Sequence, residues 1–190
     1  MSKMLLSLFL AGALALPLAA QAQASEPVDY TEQVVQEGAG RTSLYTRALD
    51  WARNKFSYAP TSALVAEPAS SAIRITGTGT LRPVDDRGKD QKLTVLFTFR
   101  FKATDNGYTY HVSSFEVVPD PANPSQRVPL EQYQAELRAA RSNAKTHNDR
   151  RLGAQASSLA SEAAMSFRSF MNSQPTDDHV GVADEQVGAH

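Results

Sequence analysis

The 190-residue chain contains no cysteine. No disulfide can brace it, so its core alone must hold the fold. No cysteine is present to carry a lipid anchor either, which excludes a bacterial lipoprotein. Charge of one sign is also missing. The formal net charge is −1, so no long-range field points to nucleic acid or to an acidic membrane surface. Catalytic signatures are absent: there is no Gly-x-Ser-x-Gly elbow, no paired-His zinc motif and no Walker loop. Nothing therefore implies a cofactor or a metal. Beyond the first 24 residues there is no apolar run of the ~20 residues that would cross a bilayer.

What is present begins with those 24 residues. Lys3 supplies a small positive start, Leu5 to Leu16 form an apolar run, and Pro17 breaks it. Ala20-Gln21-Ala22 and Ala22-Gln23-Ala24 both place small residues at the cleavage-determining positions. This is the anatomy of a secretory signal peptide, and it predicts a mature start at Gln23 or Ser25. The remaining chain is then a periplasmic or secreted protein with one domain over residues 25–171. From Asn172 to His190 the chain is polar without a period, which predicts a disordered tail.

Val28 to Gln36 reads as a first strand. Thr42 or Ser43 is the expected N-cap of a helix running to about Tyr58, where Pro60 stops it. Tyr45, Ala48, Leu49, Ala52 and Phe56 fall on one face of that helix, widened by Leu44 and Trp51. Ala63 to Glu67 predicts a short strand. Ala72 to Arg82 and Gln91 to Ala103 alternate with period 2, the second placing Leu93, Val95, Phe97, Phe99 and Phe101 on one side. Asn106-Gly107 predicts a tight hairpin turn into a strand over Gly107 to Val118. That turn pairs Asp105 with Tyr108, Ala103 with Tyr110 and Phe101 with Val112. A bulge near Ser113-Ser114 is needed to bring Phe115 and Val117 inward. Pro119 to Pro129 predicts an irregular crossover, with Pro129 in the first turn of a polar helix. Gly153 is the expected break before a last helix carrying Ala156, Leu159, Ala160, Ala163, Phe167 and Phe170 on one face.

The order is β-α-β-β-β-β-α with an extra polar helix. It predicts an α+β fold, an antiparallel sheet with helices on one face. The segment from Arg41 to Phe56, Ile73-Arg-Ile-Thr-Gly-Thr-Gly79, the Phe-rich strand and the Tyr108/Tyr110 strand resemble a bacterial exported family catalogued as a domain of unknown function with a TBP-like fold. The resemblance covers Val28 to Val118. It implies shape and no catalytic residues, and the exported reading argues against DNA binding.

The candidate binding surface follows from the alternation. Arg74, Thr76, Thr78, Thr80 and Arg82 share the polar side with Thr94, Thr98, Arg100, Lys102, Thr109 and His111. If helices cover one face, the other is a cationic, Thr-rich platform suited to an anionic glycan, a peptide or an envelope protein. An uncovered face must be polar in any case, and Thr is a good strand residue. The residues expected to matter are Arg74, Thr76, Thr78, Arg82, Arg100, Lys102 and His111. Gly77 and Gly79 are expected to mark close packing under a helix. Asp85, Asp86 and Asp90 lack EF-hand spacing and read as a solvated loop. The basic stretch Arg138 to Arg151 has too thin an apolar stripe for a membrane-surface helix. The leading reading is a non-enzymatic binding or accessory module of the envelope. The alternative is an envelope hydrolase or lyase whose site converges only in the fold, and a weaker third is strand addition at a sheet edge.

Overall fold

A computed structural model describes residues 26–58 and 64–173. The leader, Pro60, Ala63 and the tail from residue 174 lie outside the described residues. Strand β1 (Tyr30–Val35) leads into helix α1 (Arg41–Asn54). Strands β2 (Leu64–Glu67), β3 (Ala72–Leu81), β4 (Leu93–Thr104) and β5 (Gly107–Val118) follow, then the two-residue β6 (Val128–Pro129). Helices α2 (Leu130–Ala139), α3 (Asn143–Thr146) and α4 (Asn148–Asn172) end the described chain. All strands join one antiparallel sheet in the order β1-β5-β4-β3-β2, with β6 also on β5. The fold is the expected α+β arrangement with a TBP-like sheet.

The sheet's inner face is a layer of aromatics. Trp51 of α1 is fully buried, with ring centroids 4.7 Å from Phe99, 5.0 Å from Phe167 and 5.1 Å from Phe56. Phe167 of α4 packs edge-on against Phe101, Tyr108 and Tyr110. Each such ring removes enough apolar surface from water to contribute ~1.5–3 kcal/mol. Helices α1 and α4 thus cover one face, and among the described residues no helix covers the other.

Gly77 and Gly79 are where the expectation of close packing is met. A Cβ on Gly77 would lie 2.5 Å from Phe97 Cζ, and one on Gly79 would lie 2.6 Å from Leu159 Cδ2 of α4. The bulge in β5 also forms. The register steps between Leu96 and Thr98, Ser114 takes φ 58°, and Phe115 and Val117 turn inward.

Five expectations need correction. The hairpin turn is Asp105-Asn106, so Ala103 pairs with Tyr108, Phe101 with Tyr110 and Phe99 with Val112. The pairing differs by two residues and leaves the same side chains on each face, because strand side chains have period 2. Gly107 (φ 143°) is needed for another reason: β1 passes so close that a Cβ there would strike the Val34 carbonyl oxygen. Helix α1 is preceded by Gly40 without a side-chain cap, so Thr42 and Ser43 lie inside it. It closes at Asn54, where the Lys55 and Phe56 amides both donate to the Trp51 carbonyl and tuck Phe56 into the core.

Gly153 does not break the last helix; it lies inside α4. The missing Cβ makes room for Gln134 of α2, whose Nε2 would sit 2.7 Å from it and donates to the Asp149 carbonyl. The true break falls earlier. Ala140 is extended, and His147 takes a left-handed conformation at φ 50°. Pro129 stands just before α2 rather than within it.

Candidate anion-binding face

Register places the polar side chains of the bare face in transverse rows. One row runs Thr31 on β1, His111 on β5, Arg100 on β4, Arg74 on β3 and Val65 on β2. The next runs Gln33, Thr109, Lys102, Ala72 and Glu67. Neighbouring strands stand about 4.8 Å apart. Arg74 and Arg100 are therefore directly opposed, and Lys102 lies one step along the same face as Arg100.

These rows border a depression of about 500 Å³ on the sheet, lined by Glu67, Arg74, Arg100, Lys102, Thr109 and His111, with Ala72, Ile73 and Phe101 between them. A volume of this size falls in the range that takes a small ligand. Among the described residues, none of the three cations has an ion-pair partner. Like charges set opposite each other in a sheet are destabilising. Of the seven residues expected to matter, the fold brings Arg74, Arg100, Lys102 and His111 together. Thr76 and Thr78 lie farther along β3 and Arg82 just past its end, all outside the depression. The Arg82 carbonyl accepts from Arg151 Nε at 2.8 Å, and its amide donates to Gln155 Oε1, so that end of β3 anchors α4.

His111 is held from β1. Its Nδ1 lies 2.9 Å from Thr31 Oγ1, and Thr31 Oγ1 donates to Asp29 Oδ1 at 2.6 Å. Composition and spacing gave no hint of this link, because its three residues meet only through the β1–β5 pairing.

A second polar cluster was not foreseen. Glu32 faces inward from β1, toward α4. It accepts from the hydroxyls of Tyr30 (3.3 Å) and Tyr110 and pairs with Arg168 at 3.1 Å. Burial, then the hydrogen bond and charge of Glu32, push the Tyr110 hydroxyl far above the ordinary tyrosine range. A tyrosine held so firmly protonated is a poor base, and this cluster staples helix to sheet. The signal was available: Glu32 stands in phase with Tyr30 and Val34, on the apolar side of an alternating strand.

The acidic loop after β3 is organised by its own backbone. The amides of Arg87 and Lys89 both donate to Asp85 Oδ1 at 2.9 Å, and these bonds hold its carboxyl below the usual range. Asp90 is engaged by Arg151 at 3.1 Å. The basic stretch Arg138 to Arg151 is not one helix but is divided among α2, α3 and the start of α4. Among the described residues, no helix is long and apolar enough to cross a membrane.

The fold and its bare polar face define a class: a single antiparallel sheet of TBP-like topology with its helices on one side. Residues 30–117 match the model of the family described as a domain of unknown function (DUF4468) with TBP-like fold. Two solved structures share the architecture. A DUF4468 family protein from Bacteroides ovatus superposes with TM-score 0.54 at 12% identity, over 79% of this chain and 89% of that one. A TBP-like protein from Parabacteroides distasonis gives TM-score 0.51 at 18% identity, over 78% and 95%. No curated protein sequence matches the chain. Likeness at these identities concerns fold.

Proposed function

We propose that the chain is an exported, non-enzymatic binding module of the bacterial cell envelope, and that it holds an anionic glycan against the bare face of its sheet. One observation carries this reading. Arg74, Arg100 and Lys102 stand together around a depression without acidic partners among the described residues. Such an arrangement costs stability unless an anion fills it. A glycan fits better than a protein surface. Interfaces between proteins are anchored by Trp, Tyr, Met and Arg. Here the two Arg stand with Lys102, His111, Thr109 and Glu67, and no Trp, Tyr or Met lines the depression. Export rests on the leader, and N-terminal mass analysis tests it. A mature start at Gln23 or Ser25 in the envelope fraction supports it, and an uncleaved cytoplasmic chain sinks it.

Hydrolysis or lysis of envelope material is less well supported. Glycan cleavage by paired carboxylates needs them ~5–9.5 Å apart. Glu67 is the one carboxylate among the described lining residues, and its backbone stands about 14 Å from Thr109, three strand spacings away.

The test is titration of the mature protein with a heparin-derived sulfated oligosaccharide at low salt. Arg74→Glu with Arg100→Glu should abolish binding while the melting temperature stays level or rises. Undiminished binding by that variant refutes the reading. Equal or tighter binding of a polyglutamate peptide transfers the site to a protein partner.

A further inference from the structure

We infer that His111 takes up a proton as the anion binds, so that capture on this face is gated by pH. The inference rests on the anion-binding reading of the same depression.

The argument starts from one hydroxyl. Thr31 Oγ1 has a single proton, and it donates that proton to Asp29 Oδ1 at 2.6 Å. Toward His111, 2.9 Å away, Thr31 can then only accept. The ring must therefore carry its proton on Nδ1, which leaves Nε2 as the nitrogen with a lone pair when the ring is neutral. His111 is one of the residues lining the depression. A neutral His111 thus offers a bound oxyanion no donor from Nε2, whereas the imidazolium offers a charge-assisted one.

The charges around the ring set the direction. Arg100 is directly opposite on β4, Lys102 is one step along it, and Arg74 is the next in the row on β3. Asp29, just before β1, accepts from Thr31, and Glu67 on β2 is three strand spacings away. An arriving polyanion neutralises the cations and adds an acceptor, so it favours the imidazolium. Protonation is then linked to binding. A group more readily protonated in the bound state strengthens binding at low pH and loses that contribution as pH rises. Histidine ordinarily makes this change between about pH 5 and 8.

The probe should hold its own charge constant over that interval, which sulfate esters do and phosphate esters do not. The mature protein is titrated with the heparin-derived oligosaccharide at about pH 6.5 in two buffers of different ionisation enthalpy to read proton uptake, and at about pH 5.5 and about pH 8 to compare affinity. The expected result is net proton uptake and roughly tenfold weaker binding at the higher pH, the size of one charge-assisted hydrogen bond. His111→Asn should lose the pH dependence, with the same affinity at the two pH values. The other histidines are unchanged in that variant, so the difference belongs to His111. Binding without proton uptake, or a His111→Asn variant with the wild-type pH profile, overturns this inference and leaves the anion site standing. No binding at either pH overturns both.

Discussion

Glu32 offers the sharpest test of how the sheet and its last helix are joined. Its carboxylate faces α4 with 22% of the side chain exposed, opposite Tyr110 in register. Glu32→Ala removes the acceptor of the Tyr110 hydroxyl, which is fully buried. A buried donor left without a partner costs ~1–3 kcal/mol. The Arg168 pair adds little, since Arg168 is 55% exposed and such pairs contribute at most ~1 kcal/mol. The total is ~1–4 kcal/mol, and a domain of this size loses ~2–4 °C per kcal/mol. The melting temperature should fall by ~2–16 °C on those two figures. Denaturation of Glu32→Ala, Tyr110→Phe and the double variant completes the cycle. The double variant should be ~1–2 kcal/mol more stable than the sum of the singles, because it leaves no orphan. A shift under about 1 °C for Glu32→Ala, or strict additivity, refutes the reasoning.

The remaining predictions follow from named contacts. Trp51→Ala, which empties a site bounded by Phe56, Phe99 and Phe167, should cost ~3–5 kcal/mol in chemical denaturation. Gly107→Ala should destabilise by more than ~1 kcal/mol, because φ is 143° and the added carbon meets the β1 backbone, whereas Asn106→Ala at the turn should stay within ~0.5 kcal/mol. Raising pH above about 10 should unfold the protein. Burial holds the Tyr108 and Tyr110 hydroxyls protonated in the fold, while the unfolded chain releases those protons near pH 10. Stability from these groups is complete below that pH and is lost above it, at ~1.4 kcal/mol per pH unit for each. Phenolate absorbance and circular dichroism should change together, and complete tyrosine ionisation in an intact fold contradicts the assignment.

Strands β3, β4 and β5 were legible because alternation is a local property. Ile73 to Leu81 and Leu93 to Phe101 declare their faces without reference to the rest of the chain. The bulge was legible too, since without it Glu116 would have fallen on the Phe face. Helix ends were harder to read. Gly153 looks like a breaker until Gln134 is seen to fill the space beside it, and that contact joins two helices. The turn went astray because Gly107 answers to β1 rather than to the hairpin. The polar face was visible as a pattern, but which of its residues converge depends on register. Arg74 on β3 and Arg82 just past its end share a side, yet eight residues of extended chain, roughly 26 Å, separate them. Only the pairing of β3 with β4 sets Arg74 against Arg100.

The two faces of this sheet follow opposite rules. On the inner face the one strand carboxylate, Glu32, is surrounded by donors and completes its environment within the fold. On the outer face Arg74, Arg100 and Lys102 gather around a depression that Glu67 also lines, and among the described residues none of the three forms an ion pair. A polar coat for solubility would intersperse both signs, as it does in the loop where Asp85 and Asp90 sit among Arg87 and Lys89. The same chain, then, neutralises charge in the loop after β3 and leaves it uncompensated beside the depression. Neutralising Arg74 or Arg100 should relieve repulsion of ~0.2–1 kcal/mol, an effect that disappears in high salt. On the proposed anion-binding reading a bound ligand offsets this cost, and a stability left unchanged by Arg74→Ala at low salt would remove that support.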